Sequence, residues 1–364
     1  MPRPAADERL REIAGSYPTR TPRADLGAVE WLAEAAGIAP PKRRVVVVGT
    51  NGKTSTAVFL GRLLLDSGVT VSPHLTRWGE RVTVRGREVE DEELLDAVER
   101  LHGLGRGDLR FFDLLTLAAA ELFARHGVGH AVFEAGIGGR DDATRILEPP
   151  LVVLTGIGLD HVELLGPTEE DVLRAKLDVA PRGARVVSAR LGRLEAAART
   201  HAAERGLELE LVDAEGDFRE RNRALASAAA GGGSCDLAVR GRLERLEAGG
   251  VEVILDAAHN EQAWREVAAV LPAAFVAVVS VSLDREPAPL RVALRRAVEV
   301  VATEAWAGRS HPAPVLAAAV GGTAVGEPAA AVLAGLRRAR ALGLPLVVLG
   351  STYLLAHAYG ALPQ

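Results

Sequence analysis

The chain has 364 residues, enough for two domains of ordinary size, and its 48% hydrophobic and 25% charged composition is that of a folded globular protein, not a disordered or fibrous one. A formal net charge of -5 provides no general basic field, which argues against nucleic acid as the main partner. The opening "MPRPAADERLREIAG" has no apolar leader core, no run approaches the roughly 20 apolar residues of a membrane helix, and the only cysteine, Cys235, allows no intrachain disulfide, so the chain reads as cytoplasmic with no membrane partner.

The 48 residues before Gly49 leave room for a helix or two, and Lys42 among them reads as a surface residue. Val45 to Val48 then reads as a buried strand that runs into the turn "GTNGKTST". Backbone N–H groups from Gly49, Thr50, Asn51 and Gly52, with the N-terminus of the next helix, form a concave site for phosphate oxygens. Lys53 would neutralise the charge of the β- and γ-phosphates, and Thr54 or Ser55 would offer a hydroxyl to Mg2+. The spacing is shorter than G-x-x-x-x-G-K-[ST], because Val47 stands five positions before Gly52. The bland alternative is an ordinary Gly-rich turn that binds nothing.

The helix after the turn is expected to carry Val58, Leu60, Leu63, Leu64 and Leu65. "VTVS" at 69 to 72 follows as a strand, "VTVRGREVE" as a hairpin, "DEELLDAVERL" as a helix with an acidic first turn, and "FFDLLTLAAAELFARHG" as a long apolar helix. "HAVFE" is a strand ending in Glu134, and "LVVLT" one ending in Thr155. Both ends matter, since ligands of open α/β sheets sit beyond the carboxyl ends of strands. Taken singly, Glu134 would be a strand terminus, His161 a helix cap and Lys176 an exposed lysine on "EEDVLRAKLDV". Lys42, Lys53 and Lys176 are nevertheless the only lysines among 43 basic residues, which raises the question of what arginine could not do at position 176.

"RVVSA" and "LELELV" continue the strands, and "GDFRERNRALASAAAGGGSCDL" is a helix entering a Gly-rich break that places a domain boundary near 238. Domains 1–238 and 239–364 follow. In the second, "RLERL", "VEVILD", "FVAVVSVS" and "LPLVVLGS" read as strands, with a helix from near His259 and Ala/Leu-rich helices between. The expected fold is α/β: a P-loop-containing, doubly wound, mostly parallel sheet, then a second, smaller Rossmann-like α/β domain.

In order along the chain, "GTNGKTST", "SPHLTRWGER", "FFDLLTLAAAELF", "FEAGIGGRDDAT", "TGIGLDHVELLG" and "LDAAHN" resemble motifs of the Mur-type ATP-dependent amide ligases. The resemblance is to the folylpolyglutamate synthase/dihydrofolate synthase branch, because too few residues precede Gly49 for the UDP-binding domain of peptidoglycan ligases. It implies an enzyme that uses ATP and Mg2+ to join L-glutamate to folate or dihydropteroate through an acyl phosphate; a monomer is the separate expectation for its assembly. It also implies catalytic roles for Lys53, Glu134, His161 and Lys176, and Mg2+ contacts from Ser72, Glu134 and His161. ATP contacts from Asn222, Arg242, Asp256 and His259, and a carbamylated Lys176, come from the same resemblance. The chain departs from the family pattern with Gly79 for Asn, Asp141 for Leu, Arg145 for Asn, and Leu177-Asp178 for Ala-Gly. Those departures concern the acceptor, so the alternatives are a ligase of this type for another carboxylate, or a nucleotide-binding regulatory protein without ligation.

Overall fold

Strand β1 (Arg44–Val48) is built from the β-branched run and lies inside an eight-stranded sheet, flanked by β5 (His130–Glu134) and β6 (Leu151–Leu154). The structure is a computed structural model describing residues 4–18 and 25–363. It divides into two compact units, Met1–Asp236 and Leu237–Gln364.

The sheet of the first unit also contains β2 (Ser67–Thr70), β3 (Val82–Val84), β4 (Arg87–Glu88), β7 (Arg185–Ala189) and β8 (Glu208–Val212), in the order β4-β3-β2-β5-β1-β6-β7-β8. From β2 to β8 the pairing is parallel, and the β3–β4 hairpin adds an antiparallel edge. Successive side chains of a strand face opposite ways. Val46 and Val48 accordingly join Phe133, Leu154 and the buried leucines of helices Asp91–Leu104 and Phe111–Arg125 in one core. Val45 and Val47, also buried, turn to the opposite face, where helices Lys53–Leu63 and Phe218–Ala230 pack on the strands. Helices on both faces make the sheet doubly wound, as the alternation of strand and helix predicts.

Two boundaries differ from the sequence expectation. The helix after the turn ends at Leu63, and Leu65 is an exposed residue at φ 56, because β2 already begins at Ser67. β2 itself spans 67–70, not 69–72. Its Gly68 has the look of a turn residue, yet here the missing side chain is what lets Phe123 pack, since a Cβ would lie 2.2 Å from that ring.

The second unit holds β9 (Glu244–Ala248), β10 (Val251–Asp256), β11 (Phe275–Val279), β12 (Ala297–Ala302), β13 (Thr323–Ala324) and β14 (Leu346–Leu349), in the order β13-β12-β11-β14-β10-β9. All pairs are parallel except β9 with β10, which turn at Gly249-Gly250, both with positive φ. Helices Glu261–Val270, Ala313–Val320 and Pro328–Leu342 lie between strands and Thr352–Ala361 follows the last one, giving the second, smaller Rossmann-like sheet. Among the described residues no helix is long and apolar enough to cross a membrane.

Candidate active site

The parallel register Val47↔Glu134 and Val48↔Leu154 sets the carboxyl ends of β1, β5 and β6 side by side. The turn after β1 therefore stands between Glu134 and Thr155. It tolerates no side chain at its two glycines: a Cβ on Gly49 would lie 2.0 Å from Thr155 Oγ1, and one on Gly52, at φ +84, 2.5 Å from Asn222 Oδ1. Asn222 is buried on helix Phe218–Ala230, so the expected nucleotide residues Gly49, Thr50, Asn51, Gly52 and Asn222 occupy one neighbourhood. A tight Gly turn opening a helix is the kind of place that cradles phosphate oxygens, although the Thr50 N–H expected in the cradle donates instead to Gly156 O at 2.8 Å.

Lys53 is the first residue of that helix, and its Nζ donates to the carbonyls of Gly49 (3.1 Å) and Thr50 (3.0 Å). The cation is held over the loop. Of the two candidate hydroxyls, Thr54 Oγ1 donates to Glu134 Oε1 at 3.1 Å, whereas Ser55 is buried in the helix. Glu134 is only 3% exposed, and its other oxygen accepts from the backbone N–H of Ser72 at 2.9 Å. Thr54, Ser72 and Glu134 thus meet. Together they offer hard oxygen donors of the kind Mg2+ takes. His161 caps the short helix Val162–Leu165 at φ 50, with Nε2 3.7 Å from Asp160 Oδ1 and Nδ1 3.8 Å from Glu163 Oε1. Among the described residues no group of three or more His, Cys, Asp and Glu is disposed to hold a metal. An ion at Glu134 would complete its sphere with phosphate and water oxygens, which is how Mg2+ is commonly held.

The view of Lys176 as an exposed lysine does not survive. It is 2% exposed, and its Nζ donates to Ile137 O at 2.9 Å. Burial, aided by the nearby Lys53 cation, lowers its pKa from 10.5 to about 7, with Asp160 and Asp142 pulling the other way. Asp142 also anchors the loop beside Lys176, accepting from Gly138 N–H (2.8 Å), Thr144 N–H (3.0 Å) and Thr144 Oγ1 (2.6 Å). Sequence reasoning missed Asp142 and Asp160 as neighbours of this lysine. The only signal was their place in two motifs already singled out for other residues.

In the second unit, Asp256 ends β10 and is buried, accepting from Leu243 N–H (2.8 Å) and Ala258 N–H (2.7 Å). Arg242 and His259 lie on the two segments that it ties, the guanidinium donating to Gly241 O at 3.1 Å and His259 Nδ1 lying 3.0 Å from Ala257 O.

Two departures from the family pattern have local explanations. A Cβ at Gly79 would lie 2.1 Å from Val89 O, and its N–H donates to Asp91 Oδ1 at 2.7 Å, so an Asn does not fit this loop as it stands. Asp178, where the pattern has Gly, is 3.0 Å from His201 Nε2. The side chains of Asp141 and Arg145 both meet Arg140, by a 3.5 Å ion pair and a 3.2 Å bond to its carbonyl.

Glu134→Gln preserves size, lets the amide oxygen still accept from Ser72 N–H and its NH2 donate to Thr54 Oγ1, and removes the charge that a hard cation prefers. The expected result is a several-fold rise in the Mg2+ concentration giving half-maximal turnover, measured at saturating nucleotide. An unchanged Mg2+ dependence would make Glu134 a structural strand terminus.

Residues 47–182 match the Mur ligase middle domain family. A Bacillus subtilis protein named dihydrofolate synthase/folylpolyglutamate synthase is 36% identical over 177 residues, covering 45% of this chain and 41% of the relative. A Haloferax volcanii protein named probable bifunctional folylpolyglutamate synthase/dihydropteroate synthase is 30% identical over 381 residues, covering 86% of this chain and 45% of the relative. The matched stretches span less than half the length of either relative. The solved structure of a Yersinia pestis bifunctional folylpolyglutamate synthase/dihydrofolate synthase, complexed with AMPPNP and Mn ion, is 26% identical with a TM-score of 0.83, over 98% of this chain and 97% of that one.

Proposed function

Since the match over residues 47–182 and the named relatives place the chain in the Mur ligase family, on its folylpolyglutamate synthase/dihydrofolate synthase branch, we propose that it is an ATP-dependent ligase joining L-glutamate to the carboxylate of a folate or dihydropteroate. The observation that carries this reading is the Gly49–Thr54 turn with its lysine, closed by Glu134 through Thr54 and Ser72. It is a site for a metal-bound triphosphate. The nucleotide and metal in the Yersinia pestis complex, AMPPNP and Mn, support it.

The chemistry follows from a leaving-group problem. A carboxylate does not form an amide with an amine at neutral pH, because its oxygen leaves poorly. Attack of a carboxylate oxygen on the γ-phosphorus expels ADP and makes an acyl phosphate. The glutamate amine then adds to the carbonyl carbon, loses a proton, and expels phosphate as the amide forms. Mg2+ when bound supplies charge neutralisation between the phosphates, which is most of what phosphoryl transfer needs. Lys53, now resting on two carbonyls of its own loop, is placed to move its cation onto phosphate oxygens. Glu134 accepts from the Thr54 hydroxyl at 3.1 Å and from the Ser72 amide at 2.9 Å, so its carboxylate and the Thr54 oxygen are the protein groups that would hold the ion.

Lys176 takes a further part in this reading. A buried amine with a pKa of about 7 is substantially neutral under ordinary conditions, and its lone pair adds to CO2 with loss of a proton to give a carbamate. The cation becomes an anion, able to accept hydrogen bonds beside the phosphate loop. Arginine cannot do this.

A ligase of the same type for a different carboxylate is favoured by one observation, the replacement of the pattern's Asn by Gly79 under the Val89 carbonyl. An acceptor panel separates the two. Glutamate-dependent ADP release is expected with dihydropteroate or a reduced folate and not with UDP-linked muropeptides; release with a non-pterin carboxylate alone would discard the folate and keep the ligase. ATP binding without turnover on any acceptor would favour the regulatory protein.

A further inference from the structure

The phosphate turn is fastened to a second segment by a side chain that the chemistry above does not use. Thr50 is 6% exposed, and its hydroxyl donates to Gly158 O at 3.0 Å while accepting from Gly158 N–H at 3.1 Å. The backbone adds Thr50 N–H to Gly156 O at 2.8 Å. Thr155 closes the same seam from the other side, its Oγ1 donating to Asn51 O at 2.6 Å. One hydroxyl bound to both polar groups of one residue fixes distance and orientation together, so the turn and the segment Thr155–Gly158 move as one piece. Three residues beyond Gly158 stands His161, held at φ 50.

We propose that Thr50 and Thr155 are positioning residues that transmit occupancy of the phosphate turn to the segment carrying His161, so that nucleotide binding organises that segment before any metal is bound. This rests on the turn being a nucleotide site. Ligand on the turn limits the excursions of Thr50, and the two-point bond to Gly158 imposes the same limit on the segment. Valine has the shape of threonine and offers neither bond, whereas serine offers both. Loss of the hydroxyl would leave Gly158 N–H and C=O to other partners and uncouple the segment from the turn.

The test is amide hydrogen exchange of peptides covering residues 156–166, with and without saturating AMPPNP, in EDTA so that no metal bridges the two sites. Calorimetry establishes saturation for each variant. Exchange in the wild-type chain is expected to slow at least about fivefold on AMPPNP binding; Thr50→Ser should keep the effect and Thr50→Val lose it. Protection in Thr50→Val equal to wild type would overturn the proposal, as would AMPPNP that binds the wild-type chain and leaves the segment unprotected. If Thr50→Val does not fold, Thr155→Val, which removes the bond to Asn51 O, carries the same comparison: reduced protection supports the seam and full protection overturns it. Failure of AMPPNP to bind the wild-type chain in EDTA would overturn the proposal, which has the nucleotide act before metal; failure to bind with Mg2+ present as well would be a different result, removing the nucleotide site itself.

Discussion

Lys53→Ala is expected to lower ATP turnover by at least about 10^3-fold, the scale of a lost electrostatic contact to a transferring group, with little change in thermal unfolding. The side chain belongs to no apolar core. Among the described residues its Nζ donates to the carbonyls of Gly49 and Thr50, on its own loop. On the proposed reading, what the substitution removes is a positive charge beside the place where phosphate charge accumulates. Turnover within a few-fold of wild type, in a chain whose unfolding midpoint is unchanged, would mean that the turn does not carry the reacting phosphates.

The second large effect concerns Lys176. Both Lys176→Ala and Lys176→Arg are expected to lose nearly all activity, and for different reasons. Alanine removes the atom that would carry the carbamate. Arginine keeps a permanent charge where burial and the Lys53 cation disfavour one, and its guanidinium does not form a carbamate. A small carboxylic acid should partly restore the alanine variant and leave the arginine variant inactive. An active Lys176→Arg enzyme would show that positive charge alone suffices. The unmodified lysine also has a signature in stability. Its folded pKa of about 7 lies below the ordinary 10.5, so between those values the unfolded chain binds the extra proton. Stability therefore rises with pH across that window as far as this group is concerned. Lys176→Met should flatten the rise, as read from urea midpoints between pH 7 and pH 10. A slope unchanged by the substitution would place the amine in water.

How much of this was legible in the sequence differs from element to element. Val45 to Val48 declared a strand buried on both faces, and the turn after it declared its glycines, because both signals are local. Gly49 and Gly52 are glycines for reasons that involve distant residues, Thr155 and Asn222, but the pattern itself can be read without them. β12 (Ala297–Ala302) went unnoticed. It follows "ALRR", where alanine and arginine favour helix, and pairing with β11 makes "AVEVVA" a strand. Lys176 shows the limit most clearly. Its helix, "EEDVLRAKL", looks like a solvated one by composition. What buries the amine is the loop around Ile137 and Asp142, from another motif about forty residues earlier in the chain, and no local pattern announces that meeting. Gly68 carries no local signal for its role either, because its absent side chain makes room for the ring of the distant Phe123.

The most direct measurement labels the acceptor. Dihydropteroate, or whichever acceptor supports glutamate-dependent ADP release, is prepared with oxygen-18 in its carboxylate and turned over with ATP, Mg2+ and L-glutamate. If the carboxylate oxygen attacks the γ-phosphorus and the amine later expels phosphate, one labelled oxygen passes into each inorganic phosphate released and the other stays in the amide. Phosphate carrying no label, or release of phosphate without any glutamyl product, would contradict ligation through an acyl phosphate.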